Sequence, residues 1–477
     1  MVALPELSAE VRAGLAPEVQ VYLAALEQAV AVLTARLAEV EARLAQTSRN
    51  SARPPSSDPP GTPRAPSPAQ GRRAGGQPGH PGSFRALLDP TAVDAIVACV
   101  PEQCADCGAA LPATAAVIDP EDERRQVTEV PPVAAMVTEY RLAARRCGVC
   151  GHLTRAPLPV GVGREGFGPR LTALVALLTG RYRLSKREAA ACLADVWGVE
   201  LAVGSVTALE HATSAALEPV VEEVWTAVQQ TAVANLDETS WRQGRRRAWL
   251  WTVVTAALTI FHIDRSRGGA VARALLGPGW AGLVGSDRGT MYKWLPADHR
   301  QVCWAHLQRD FQKLVDWGPA SRPIGQQLLE VEAQVFALWH RFRRGAIDRR
   351  MLLDHLVPIQ ATMWQVLVAG SDGPTGKAVG VCWDLRRLWP ALWTFAQVEG
   401  VEPTNNVAER ALRPAVLWRK GSFGTHSEAG SRFAERMLTT TATCRQQGRS
   451  LFTFLVEAVT AAQQGAAHPS LLPDFST

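Results

Sequence analysis

A chain of 477 residues, 47% of them apolar, is too long for one ordinary core and rich enough in apolar side chains for three or more domains. The net charge of +5 excludes a wholly polybasic or polyacidic chain and leaves any nucleic-acid contact to local patches. Nine cysteines, four of them in two Cys-x-x-Cys pairs, argue for metal in a reducing compartment and against a disulfide framework.

The apolar positions near the start are periodic rather than continuous, so no N-terminal signal is expected. The longest apolar run, WLWTVVTAALTIFHI, is too short and too β-branched to cross a membrane and reads as two strands joined at Ala256 and Ala257. A cytoplasmic, nucleoid-associated protein with no membrane partner is expected. Within residues 1–46, Leu23, Leu26, Val30, Leu33, Leu37, Val40 and Leu44 step alternately by three and four. That seam predicts a coiled coil that pairs two copies of the chain; an amphipathic helix packed on its own domain is the alternative. Residues 47–88 are rich in Pro, Gly and Ser, with six Arg against one Asp from Thr47 to Arg85, and predict a basic linker that cannot fold alone. Its end, GGQPGHPG, is turn-rich, and His80 within it reads as a surface residue.

Residues 89–160 hold CADC, with Cys104 and Cys107, and RRCGVCGH, with Cys147 and Cys150. Each pair can chelate one tetrahedral ion, so a structural Zn²⁺ on a β-ribbon is expected, with Cys99 and His152 as spare donors. Arg141, Arg145 and Arg146 face either DNA or solvent. Residues 165–225 read as three helices with Ser185 and Ser205 as N-caps, a helix-turn-helix-like pattern that either meets DNA or packs as a bundle. From 230 to 317 the order is three strands, a helix near Gly269 to Leu276, the strand GLVGS, a short helix, the strand HRQVCWAH and the helix LQRDFQKLVDW. With residues 400–460 this is the order of an RNase H-like core. Residues 318–399 form a Trp-rich helical insertion, and 461–477 a tail. The expected fold class is therefore multidomain α+β: a coiled coil, a zinc-binding β-ribbon, a helical DNA-binding region and an RNase H-like α/β core with a helical insertion.

Three acids carry the chemistry. Asp237 and Asp287 end apolar runs that read as strands, and Glu409 follows Asn405, a good helix N-cap. Three carboxylates brought together hold two hard divalent ions, Mg²⁺ or Mn²⁺, with Asp237 bridging them, and phosphodiester cleavage and joining need that pair of ions more than covalent catalysis. Glu238 alternates to the other strand face and is rejected as a ligand; Asp264, Asp298 and Glu402 read as surface charge. Arg413, Arg419 and Lys420 form a basic cluster for DNA, with Arg410 beside them. Arg413, at i+4 from Glu409, either steadies that carboxylate or reaches a phosphate. His306 is either a buried hydrogen-bonded side chain or a residue beside the phosphate.

The leucine heptads, GGQPGHPG, the CADC and CGVC pair, NLDET, SDRGTMYKWL, CWAHLQRDF and PTNNVAERALRP together resemble the insertion-sequence-66 family of bacterial transposases over most of the chain. The resemblance implies an acidic triad on Asp237, Asp287 and Glu409, a Cys-x-x-His signature at Cys303 and His306, Mg²⁺-dependent cutting of element ends and their joining to target DNA, a zinc-finger-like domain, and a helical insertion before the glutamate. The expected partners are double-stranded DNA and a second copy of the chain, with room for accessory proteins of the same element. A non-catalytic zinc-containing DNA-binding regulator and an RNase H-like structure-specific nuclease are the rival readings.

Overall fold

The computed structural model describes residues 9–44, 47, 85–112, 124–160, 162, 166–373 and 376–473. Apart from residues 47 and 85–88, the basic linker lies outside them, as does GGQPGHPG with His80. The chain divides into two compact units, Pro63–Met136 and the remainder.

Helix α1 (Ala9–Ala13) is followed by the 28-residue α2 (Pro17–Leu44). Its seam residues Leu26, Val30, Leu33, Leu37, Val40 and Leu44 are exposed and Leu23 is half-buried, so among the described residues most of the stripe is uncovered. In the unit Pro63–Met136, a bridge between Gln103 and Ala110 closes the first Cys-x-x-Cys turn. In the other unit the second turn is closed by the two-stranded ribbon β1 (Ala144–Arg146) and β2 (Leu153–Arg155), with Arg145 opposite Thr154.

Helices α3 (Pro169–Ala176), α4 (Lys186–Trp197) and α5 (Val203–Val228) follow. Ser185 and Glu188 form a reciprocal capping box at the start of α4, and Gly198 ends it at φ 65. Ser205 is not a cap. Helix α5 starts at Val203 after Ala202, and Ser205 lies in its first turn. The C-terminal half of α5 carries Leu217, Val220, Val224 and Val228 into the main core, so this helix is built into the sheet layer rather than standing free.

The five-stranded sheet has β3 (Val233–Gln243), β4 (Arg246–Val254) and β5 (Thr259–Asp264) antiparallel, then β6 (Leu283–Ser286) and β7 (Arg300–Val302) parallel to β3. In space the order is β5-β4-β3-β6-β7. Helix α6 (Gly269–Leu276) links β5 to β6, and α7 (Trp304–Asp316) leaves β7. Strand β3 does not end at Asp237: it runs six residues further, because Thr239 to Gln243 pair with Leu250 to Arg246 across a hairpin turned at Gly244, φ 59. Nor do Cys303 and His306 belong to the last strand. Pairing stops at Val302, and Cys303 caps α7.

Helices α8 (Arg322–Arg343), α9 (Arg349–Ser371), α10 (Gly376–Arg387) and α11 (Trp389–Gln397) make the insertion, with its own core around Trp339, Met363, Leu385 and Trp393. Two of its tryptophans, Trp364 and Trp383, remain exposed. Helices α12 (Asn406–Ser422), α13 (Glu428–Gln446) and α14 (Leu451–Gln464) return to the sheet. One sheet face (Leu236, Trp251, Val253, Ile260) is covered by α5, α6 and α14; the other (Trp241, Leu250, Phe261, Ile263) meets Leu412 and Ala415 of α12. Helix α13 guards the open edge. Its residues Glu435, Thr439 and Thr443, four apart, accept from the backbone N–H groups of Ile263, Phe261 and Thr259 on β5. The unpaired edge of β5 is thereby closed to other chains.

The described residues thus form a mixed α+β structure, mostly helical, with two sheets. Among the described residues no helix is long and apolar enough to cross a membrane.

Candidate active site

Strands β3 and β6 pair in parallel, with Val233 opposite Leu283 and Asn235 opposite Gly285. Carried two residues further, the same offset sets Asp237 beside Asp287, on one face, because side chains repeat every second residue and neighbouring strands lie ~4.8 Å apart. The strands approach closely at Gly285: a Cβ there would stand 2.3 Å from Asn235 Oδ1 and would push that amide aside. The turn after β6 is fixed by Asp287 itself, whose Oδ1 accepts from Gly289 N–H at 2.8 Å.

Helix α12 brings in the third acid. Asn405 occupies its N-cap position, but the side chain makes no cap bond. It donates instead to the Leu236 carbonyl at 2.7 Å, while its backbone N–H donates to Cys303 Sγ at 3.1 Å. This buried residue pins the start of α12 to the strand position next to Asp237. Glu409 sits one turn into the helix, with Oε1 3.5 Å from His306 Nδ1 and Oε2 4.0 Å from Arg309 Nη2.

The electrostatics record this convergence. Asp237 titrates well above the usual carboxylate range because burial disfavours its charge, Glu238 and Asp287 repel it, and Glu409 adds to the repulsion; only the Glu238 N–H opposes the rise. Three nearby arginines are engaged elsewhere. Arg267 pairs with Glu238, which also accepts from Tyr292 Oη at 2.7 Å on the opposite strand face. Arg288 bridges Asp310 of α7, at 2.6 Å, and Asp384 of α10, at 2.8 Å. The fully buried Arg300 binds Ser286 Oγ and the Asp287 carbonyl, not its carboxylate, and burial lowers its pKa to about 10.

The carboxylates of Asp237 and Asp287 suit hard divalent ions, while a Glu409 oxygen groups with Cys303 and His306. Oxygen ligands, a carboxylate raised first by burial and then by its acidic neighbours, and a buried Glu409 Oε1 without a hydrogen-bond partner together describe an excess of negative charge that a cation would relieve.

The remaining site residues are placed as follows. His306 lies in the first turn of α7, 17% exposed at its side chain. Arg413 and Lys420 are exposed on α12, and Glu409 pairs with His306 and Arg309 rather than with Arg413. The Arg419 guanidinium is held by Thr239 Oγ1 at 3.0 Å and Ser240 Oγ at 2.6 Å on β3. Glu402 pairs with Arg343, and Asp298 is exposed. Each Cys-x-x-Cys turn closes the same way: Gly108 N–H donates to the Cys104 carbonyl, and Gly151 N–H to that of Cys147, both at 3.0 Å. Backbone N–H groups of Cys107 and Asp106 hold the Cys104 thiol below its ordinary range, and those of Cys150 and Val149 do so for Cys147. Sequence reasoning missed Arg300, Arg309 and the side-chain role of Asn405; a lone arginine opening the short run RQV was the one local sign of the first.

Residues 4–86 match a family of unknown function (DUF6444). A relative from Sinorhizobium fredii, described as Uncharacterized protein y4qI, is 25% identical over 247 residues, 46% of this chain and 44% of that protein. The chain thus spans less than half the length of that relative. Residues 164–433 match the sequence model of the IS66 family of transposases, a stretch that takes in Asp237, Asp287, His306 and Glu409. With more than half of its length matched in this way, the chain belongs to the IS66 transposase family.

Proposed function

We propose that this protein is a DNA transposase that cuts the ends of a bacterial insertion sequence and joins them to target DNA. The carrying observation is the parallel register that sets Asp237 beside Asp287, with the charge of Glu409 bearing on the first. Three antiparallel strands followed by two parallel ones support an RNase H-like core. Asp237, Asp287 and Glu409 would hold two Mg²⁺ or Mn²⁺ ions, which supply charge neutralisation and Lewis acidity to in-line phosphoryl transfer. The chain's own part is to hold these carboxylates in place and to take the DNA backbone on exposed cations such as Arg413 and Lys420. Arg419 steadies α12 on β3 instead. His306 keeps Glu409 oriented beside the phosphate.

The test is a strand-transfer assay with the DNA flanking the protein's own gene. Mg²⁺-dependent cleavage followed by joining is the expected result. Cleavage without joining would indicate a nuclease, and binding without cleavage a regulator.

The exposed seam of α2 supports a coiled coil with a second copy of the chain. The two thiol pairs are proposed to take up structural Zn²⁺, on the spacing and turn of each. Metal analysis of the purified protein is expected to find zinc, and Cys104→Ser to lower it while leaving the melting of the sheet-bearing unit unchanged. A zinc-free parent protein rules this out.

A further inference from the structure

Cys303, His306 and Glu409 converge where the starts of α7 and α12 meet. One donor atom of each, the Cys303 sulfur, a His306 ring nitrogen and a Glu409 carboxylate oxygen, lies within 4.8 Å of the others. The fold holds them there firmly. Cys303 opens α7 directly after β7, His306 stands three residues on, on the same helix face, and α12 is tied down through Asn405. Two of the donor atoms lack a hydrogen bond. His306 Nδ1 and Glu409 Oε1 are buried, face each other at 3.5 Å and have no hydrogen-bond partner. Buried polar atoms of this kind ask for an occupant.

The chemistry of the set differs from that of the acidic pair. Thiolate and imidazole suit Zn²⁺ and similar borderline ions rather than Mg²⁺, while the carboxylate serves either. Around a tetrahedral Zn²⁺ with bonds of roughly 2.0–2.3 Å the donors stand roughly 3.3–3.8 Å apart. The His306–Glu409 separation already meets this.

We propose that Cys303, His306 and Glu409 form a binding site for Zn²⁺ or a similar borderline divalent ion, distinct from the Cys-x-x-Cys pairs. An ion bound there holds Glu409 on the α7 side and withdraws it from Asp237 and Asp287. Zn²⁺ is then an inhibitor of the Mg²⁺-dependent reaction. The binding half stands on geometry alone; the inhibition rests on the function proposed above.

Co²⁺, a spectroscopic substitute for Zn²⁺, is titrated into the full chain with all other cysteines present, and thiolate-to-cobalt charge-transfer absorption is read. The parent is expected to take up one more Co²⁺ equivalent than Cys303→Ser, whose contribution from the other cysteines is the same. His306→Gln, checked for an unchanged melting transition, is expected to lose the same equivalent. Identical titrations in the parent and both variants overturn the site. In strand transfer at fixed Mg²⁺, added Zn²⁺ is expected to slow the parent at least tenfold more than it slows Cys303→Ser; equal inhibition overturns the capture of Glu409. A wrong functional assignment shows itself separately, as no Mg²⁺-dependent reaction even without Zn²⁺.

Discussion

Asp237→Ala is expected to abolish cleavage and joining of element ends while DNA binding stays at the parental level. Charge stabilisation by metal ions is worth several kcal/mol, and each 1.36 kcal/mol is tenfold, so the loss is about a thousandfold or more. Asp287→Ala and Glu409→Ala should behave alike, and retained cleavage in any of the three would remove the site assignment. Asp237→Asn adds a readout that needs no DNA. Burial first, then Glu238 and Asp287, raise the folded-state pKa of Asp237 above its unfolded value. Ionising the group therefore opposes folding. The penalty is absent below the unfolded pKa, grows as pH rises through the window between the two values and is complete above the folded one. Metal-free Asp237→Asn is thus expected to melt higher than the parent at neutral pH, with the gap closing towards about pH 4. Added Mg²⁺ should raise the melting temperature of the parent and leave that of the variant where it was.

The second large effect is expected at Asn405, which touches no acid. Its side chain ties the entry of α12 to the Leu236 carbonyl, one residue before Asp237. Asn405→Ala removes that donor and costs about 1–3 kcal/mol for the buried carbonyl left unpaired. Helix α12 itself should survive, because the side chain contributes no cap bond. What is lost is the placement of Glu409, and a misplacement of ~1 Å in a catalytic constellation can cost ~100-fold in rate. Circular dichroism should therefore show unchanged helix content while cleavage falls about 100-fold. Asn405→Asp, similar in shape but without the donor, should be impaired as well. A parental rate in Asn405→Ala would show that α12 is positioned by other contacts.

Elements whose signal is local were legible in the sequence. The heptad steps gave a continuous helix, the turn at Ala256 separated two strands, and α6 runs from Gly269 to Leu276 as its composition indicates. Features set by distant partners were not. The polar residues after Asp237 look like the end of a strand and are extended only because Arg246 to Leu250 pair with them. The segment CWAH continues an apolar run, yet loses its ladder partner once β6 ends at Ser286. Asn405 has the composition of a cap, and a carbonyl 169 positions away claims its amide. Arg419 reads as a free cation until α12 lies on β3 and Thr239 and Ser240 take it up. The threonines of α13 carry no sign of their task, which exists only once the edge of β5 lies beneath them. At the site, Asp237 and Asp287 were visible as carboxylates after strand-like runs and Glu409 as one following a helix cap; Arg300 and Arg309 beside them were not.

Arg288 follows Asp287 directly and is fastened at once to α7 and, through Asp384, to α10 of the insertion. A rigid lever therefore runs from the outer helices to the second acid. On the function proposed above, a DNA backbone seated against the insertion would press on Asp287 through one guanidinium, so that docking of the substrate and placement of the second acid would share a mechanical link.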